Sequence, residues 1–163
     1  MAQDESIWRY ERTIKKVRAK RGTRPRVMVT GATQKTCPYG ALADDGSQCF
    51  RQYERCSTAY FIDFLNALLK RYDKLLLFLD CAPWRRSKTT LAFIKQHRAR
   101  LRIRWFPVGF PEANPVEECW RQGRYADDLG ARWHDGFPEF KAAISSYYRT
   151  RRFKLNLFHY LCQ

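Results

Sequence analysis

Apolar residues recur at three- and four-residue intervals behind Ser57: Phe61, Phe64, Leu65, Leu68, Leu69 and Tyr72 fall on one helical face. Ser57 has the side chain of an N-cap. This stretch predicts the clearest amphipathic helix of the chain. Residues 74–80 follow, and the unbroken run Leu75-Leu76-Leu77-Phe78-Leu79 predicts a central strand buried on both faces. Ser87 caps a second predicted helix, which runs to about Arg98 and faces inward with Leu91 and Ile94. Residues 103–106 read as a short strand, and Pro107 and Pro111 force a rigid loop after it. Asn114 and Pro115 announce a third helix, Asn as N-cap and Pro at the first helical position. A polar segment, residues 123–136, leads to a last helix on which Phe140, Ala143, Ile144, Tyr147 and Tyr148 share a face.

The front of the chain reads as extended structure. Residues 3–8 suit a strand, and residues 15–26 are basic and broken by Gly22 and Pro25. Residues 27–43 read as extended, interrupted near Pro38; Asp45-Gly46 signals a hairpin, and residues 48–55 return as a strand. Three strands, then alternating helices and strands, predict an α/β fold: a mixed five-stranded sheet with helices on both faces, the order of the ribonuclease H-like, retroviral-integrase-like class. No repeat or linker divides residues 1–163, so one domain is expected.

Charge narrows the partners. The 31 Lys and Arg against 16 Asp and Glu give a net charge of +15, which favours a polyanion, most often nucleic acid. No stretch reaches the roughly 18 apolar residues of a membrane span, and the N-terminus has no apolar signal region; an intracellular protein without a membrane partner is expected. The six cysteines and three histidines, His97, His134 and His159, show no zinc-like spacing. Reduced thiols are the simplest expectation.

Three carboxylates stand where chemistry is possible. Asp80 closes the apolar strand, at the carboxyl end where such sheets bind ligands. Asp4 lies on the first strand, which in this sheet order runs parallel beside it. Glu117 lies in the first turn of the helix after the Pro-rich loop. Converging carboxylates repel each other and their pKa values rise; hard divalent cations such as Mg²⁺ or Mn²⁺ remove that cost. A two-metal pair could then activate the attacking oxygen and stabilise the leaving one. Blander roles compete. Asp4 could be solvated beside Glu5, Asp80 could cap its turn, and Glu117 stands three residues after Asn114, the spacing of a capping box. Glu5, Asp63, Glu112 and Glu118 are rival carboxylates.

Longer motifs carry a resemblance. Leu77-Phe78-Leu79-Asp80-Cys81-Ala82-Pro83-Trp84-Arg85-Arg86-Ser87-Lys88 resembles the second-aspartate motif of mariner-related insertion-sequence transposases, an apolar strand followed by Asp-Asn-Ala, two residues and His. The run from Trp105 through Pro111-Glu112-Ala113-Asn114-Pro115-Val116-Glu117 to Trp120 resembles their third-carboxylate motif, and Gln3-Asp4-Glu5-Ser6 the first. Gly40-Ala41-Leu42 with Gly46 matches a hairpin common in these enzymes. Asp80 and Glu117 have 36 residues between them, near the family's usual gap.

The resemblance implies the catalytic, DDE-type domain of a prokaryotic insertion-sequence transposase, with Asp4, Asp80 and Glu117 as catalytic metal ligands and Mg²⁺ or Mn²⁺ as a two-metal cofactor. It implies cleavage at transposon ends, then attack of the freed 3′-hydroxyl on target DNA, typically at TA. Expected partners are transposon ends and target DNA, with a homodimer on DNA and a cytoplasmic, nucleoid-associated setting. Arg85, Arg86 and Lys88 beside the site are candidate DNA contacts. Cys81 stands where Asn is common, and Arg85 where His is common; Arg is a charged fork that cannot share a proton as His does. The helix-turn-helix domains of full-length relatives have no counterpart in these 163 residues. Two alternatives stay open: a non-catalytic DNA-binding remnant, and a nuclease of the same fold acting on RNA or junction DNA.

Overall fold

The computed structural model describes all residues except 15, 17, 25, 108, 110–112, 156–159 and 161–163. The sequence features at Lys15, Pro25, Val108, Phe110, Pro111, Glu112, His159 and Cys162 lie outside the described residues. The order is β1 (Ala2–Glu5), β2 (Trp8–Arg9), β3 (Lys35–Leu42), β4 (Gln48–Tyr53), α1 (Thr58–Arg71), β5 (Leu75–Leu79), α2 (Lys88–Gln96), β6 (Leu101–Trp105), α3 (Pro115–Tyr125) and α4 (Phe137–Thr150).

The sheet is mixed. β1 is antiparallel to β3 and parallel to β5, β5 is parallel to β6, and β4 pairs antiparallel with β3. β2 adds a sixth strand segment to the five expected. It keeps the register of β1 on β3: Glu5 faces Tyr39 and Trp8 faces Thr36. The two are one extended line broken at Ser6 and Ile7, and the reason is Pro38. In a strand, a residue's N–H and C=O point to the same side. The Pro38 carbonyl accepts from the Ser6 N–H at 3.0 Å, so its missing N–H also faces this line and cannot continue the ladder. The interruption expected near Pro38 is therefore displaced to the neighbouring strand, and β3 runs through Pro38 unbroken.

Alternation divides the core between two faces. Tyr39, Ala41, Leu75, Leu77 and Leu79 pack against Phe61, Phe64, Leu65 and Leu68 of α1. Ala2 and Leu42 pack on the opposite face with Val116, Cys119 and Trp120 of α3 and Phe140, Ile144, Tyr147 and Tyr148 of α4. Burial at this scale contributes roughly 1.5–3 kcal/mol for each fully buried large side chain. Ser57 caps α1 by accepting from the Tyr60 N–H at 3.3 Å, and Ser87 caps α2 by accepting from Thr90 at 3.2 Å. Asp45 and Gly46 make the hairpin turn, Gly46 at a φ of 79°.

Some expectations change. Leu91 is 47% exposed; α2 turns Phe93 inward beside the expected Ile94. Cys37 and Cys56 form a disulfide, with Cα atoms 5.9 Å apart, where reduced thiols were expected. The bond ties β3 to the segment before α1, and closing a loop with 19 residues of sequence separation stabilises a fold by about 3 kcal/mol in the chain-entropy account. His97 packs against Phe93 with the rings tilted, and buried His134 bonds to the Leu129 carbonyl; both fit the expected surface or packing roles. Among the described residues, no helix is long and apolar enough to cross a membrane.

Candidate active site

Asp4 and Asp80 come to the same face of the sheet by strand register. Ala2 of β1 pairs in parallel with Phe78 of β5. Two residues further along each chain, one full alternation, lie the two aspartates. Glu117 arrives from above. Asn114 accepts from the Val116 N–H at 3.2 Å and starts α3, and its amide donates to the Gln3 carbonyl at 3.3 Å. The cap thus fastens the helix start to β1 and sets Glu117 over the strand ends.

The cluster grades from buried to open. Asp4 is buried, as is the Glu5 side chain, whereas the Asp80 side chain is 51% exposed. Glu117 has a face to solvent. Asp4 accepts from the Trp120 indole at 2.9 Å and from Arg85 Nη2 at 3.1 Å. Trp120 can reach it because Gly40, the cross-strand partner of Asp4, has no side chain: a Cβ there would lie 2.9 Å from the Trp120 ring and 2.5 Å from Phe50. Asp80 also accepts from the Ala82 N–H at 2.9 Å, so its turn-capping role is real alongside its place in the cluster.

Arg85 is the unexpected member. A candidate DNA contact by its place in the sequence, it is fully buried. Its guanidinium pairs with Asp4, with Glu5, and with Asp80 at 2.5 Å, and lies 5.9 Å from the centre of the Phe61 ring. A group so engaged does not present itself to an incoming phosphate. Trp84 next to it donates to Glu5 at 2.6 Å, so Glu5, a rival in the sequence, belongs to the cluster. Arg86 and Lys88 are exposed, and Arg86 lies over Trp105. Glu118 pairs with Arg121, and Asp63 with Arg51, away from the cluster.

The electrostatics follow. Burial pushes Asp4 up from 3.8 to about 7; Glu5 and Glu117 add to the shift, and Arg85 and the Trp120 hydrogen bond oppose it. Glu117 is also raised, by partial burial and by Asp80, against Arg124, a hydrogen bond with Asp4 and Arg85. Burial alone would lower Arg85, but Glu5, Asp4 and Asp80 outweigh it and hold it above its ordinary value. Negative charge is therefore in surplus. The donor chemistry, carboxylate oxygens with a solvent-facing side, fits a hard divalent cation. Among the described residues, no three Asp, Glu, His or Cys side chains stand close enough together to grip one ion as they are; the guanidinium of Arg85 takes the position between Asp4 and Asp80.

Residues 1–135 match the family model described as DDE superfamily endonuclease. No curated protein matches. Among solved structures, the Mos1 transposase paired-end complex with left transposon end aligns with a TM-score of 0.68 at 15% identity, covering 99% of this chain and 49% of that one. The catalytic domain of Mos1 mariner transposase aligns with a TM-score of 0.61 at 12% identity, covering 99% and 72%. A simian T-cell lymphotropic virus intasome aligns with a TM-score of 0.54 at 11% identity, covering 92% and 49%. The fold is thus the ribonuclease H-like one of transposase and integrase catalytic domains. The chain spans about half the length of the Mos1 chain in its paired-end complex.

Proposed function

The chain belongs to the DDE superfamily endonucleases, and from that premise we propose that it performs metal-dependent cleavage and strand transfer of DNA as the catalytic domain of a mariner-related insertion-sequence transposase. The observation that carries this reading is the matched placement of Asp4 and Asp80 beyond the Ala2–Phe78 pair of two parallel strands, with Glu117 at the start of α3 near enough to act on both electrostatically. Asp4, Asp80 and Glu117 would hold Mg²⁺ or Mn²⁺. Mos1 complexes have been crystallised with Mn and with Mg, which supports the choice of ion for this relative.

When bound, such ions supply charge neutralisation at the phosphate and a more acidic attacking hydroxyl. The protein's part is placement. Trp120 and Gly40 hold Asp4 in one orientation, and the α3 cap fixes Glu117. The open side at Asp80 and Glu117 admits a phosphodiester. In the first step an oxygen of water bonds to phosphorus and the bond to the 3′-oxygen breaks, leaving a 3′-hydroxyl. In the second, the oxygen of that hydroxyl bonds to the phosphorus of a target phosphodiester, whose bond to its own 3′-oxygen breaks and leaves a new 3′-hydroxyl on the target strand, the proton passing from the attacking to the leaving oxygen through solvent. The DNA partners would be transposon ends and target DNA, on which a homodimer would assemble, in a prokaryotic nucleoid.

A second reading has its own observation. Arg85 already neutralises part of the cluster, as expected of a DNA-binding remnant that no longer cuts. Conversion of supercoiled plasmid to nicked circle with Mn²⁺ separates the two. The first reading expects nicking that EDTA and Asp80→Asn both abolish. DNA binding with no nicking at any Mn²⁺ concentration selects the second.

A further inference from the structure

Arg85 combines full burial with incomplete hydrogen bonding. Its Nη2 donates to Asp4 and Glu5. Its Nη1 lies 2.5 Å from Asp80 Oδ1 without the alignment of a hydrogen bond, and its Nε has no acceptor. A buried donor without a partner is costly, and a native structure that keeps one calls for a reason. Here the reason is charge: four carboxylates, Asp4, Glu5, Asp80 and Glu117, act on this region, and the Arg85 guanidinium is the cation in contact with Asp4, Glu5 and Asp80, while Arg124 acts on Glu117. It is held by attraction more than by directed bonds. Its backbone is fixed independently, since the Arg85 N–H donates to Ala82 at 3.0 Å and the neighbouring Trp84 carbonyl accepts from Thr90 at 2.7 Å. The loop's backbone bonds therefore do not depend on which groups the guanidinium pairs with.

We propose that Arg85 is a resident counter-cation of the carboxylate cluster, and that a divalent metal ion and its guanidinium compete for the oxygens of Asp4 and Asp80. The inference rests on the metal-site reading above and deepens it. A metal that needs both aspartates has to displace a tethered positive charge, which is always present at effectively high local concentration. Metal uptake is weakened accordingly. The chain without metal, in turn, keeps its buried carboxylates together.

Mn²⁺ binding at pH 8, followed by the electron paramagnetic resonance of the free ion, tests this on the full chain. Arg85→Gln removes the charge and keeps a polar side chain; Arg85→Lys keeps the charge. The expected result is at least about tenfold tighter Mn²⁺ binding in Arg85→Gln, since removing one positive charge beside a dication is a large effect even at an effective dielectric near 20. Arg85→Lys should stay within about threefold of the unaltered chain. Equal affinity in all three forms, or weaker binding in Arg85→Gln, overturns the competition while leaving a metal site. Absence of Mn²⁺ binding in every form overturns the metal reading as well. A second measurement needs no variant. The Arg85 Nε–H resonance of the unaltered chain should shift on Mg²⁺ titration with the same midpoint as binding. Saturation with Mg²⁺ that leaves this resonance unmoved refutes displacement.

Discussion

Asp4 and Asp80 occupy matched positions on parallel neighbouring strands, both one alternation beyond the Ala2–Phe78 pair. Strand geometry alone therefore puts their side chains on one face. Helix α3 has only to bring a third carboxylate to a place that the sheet has already defined, and its cap does so through the Asn114 bond to Gln3.

Glu117 separates a ligand from a capping residue. Its backbone N–H donates to the Asn114 carbonyl at 3.1 Å, and that bond survives any substitution of the side chain. Glu117→Gln should leave the melting temperature within a degree or two and abolish Mn²⁺-dependent nicking, because a neutral amide is a poor ligand for a hard cation. Nicking at the unaltered rate would transfer the role to another carboxylate.

Asp4 gives a pH dependence with a definite sign. Its folded pKa of about 7 lies above its ordinary 3.8, so the native chain binds this proton more tightly than the unfolded chain. Stability from this group is full below its ordinary pKa and declines as pH rises through about 7. Glu117, also raised, acts in the same direction. Asp4→Asn carries no such proton. Urea midpoints measured from pH 4.5 to 8 should show the variant gaining on the unaltered chain by a few kcal/mol, since each tenfold difference in proton affinity between the folded and unfolded chain is worth about 1.4 kcal/mol. Parallel curves across that range would contradict the burial of Asp4 as an ionisable group.

Gly40 is a position where one methyl group matters at the site. Its added Cβ would meet Phe50 and Trp120 below normal contact distance. Gly40→Ala should cost roughly 1–3 kcal/mol as overpacking and push the Trp120 indole off Asp4. Near-ultraviolet circular dichroism and the chemical shift of the Trp120 indole N–H both report that bond. A Gly40→Ala chain with an unchanged indole resonance would show that the ring has room to spare.

Much of this was legible locally. A run of five apolar residues ending in Asp80, and Asn114-Pro115 before Glu117, are signals carried by adjacent residues, and both elements formed where they pointed. Asp4 needed the sheet order, which the alternation of helices and strands supplied. Arg85 was not legible. Nothing in Trp84-Arg85-Arg86-Ser87 tells which arginine turns inward, because that depends on carboxylates some 80 positions away in the chain. Trp120 could be placed at the end of a motif, but its bond to Asp4 depends on the space over Gly40. The Cys37–Cys56 pair was hidden for the same reason: it joins β3 to the start of α1, and sequence spacing says nothing of their approach.

The three cations proposed as DNA contacts divide in the structure, and binding should divide with them. Arg86 and Lys88 are exposed beside the cluster, and Lys88 opens α2, whose N-terminal dipole adds to its field. If they touch the phosphate backbone, each neutralised contact releases counterions and adds close to one unit to the slope of log affinity against log salt. Arg86→Ala combined with Lys88→Ala should therefore weaken binding to any duplex and reduce that slope by about 1–2. The loss should be uniform across sequences, since phosphate contacts position DNA and do not read it. Arg85→Gln is the internal comparison: its guanidinium is buried among carboxylates, so the slope should stay as it was. A filter-binding series between 50 and 300 mM salt, about the range over which such contacts are lost, decides the matter. An unchanged slope in the double variant would remove Arg86 and Lys88 from the interface, and a lowered slope in Arg85→Gln would mean that the guanidinium swings out to meet DNA.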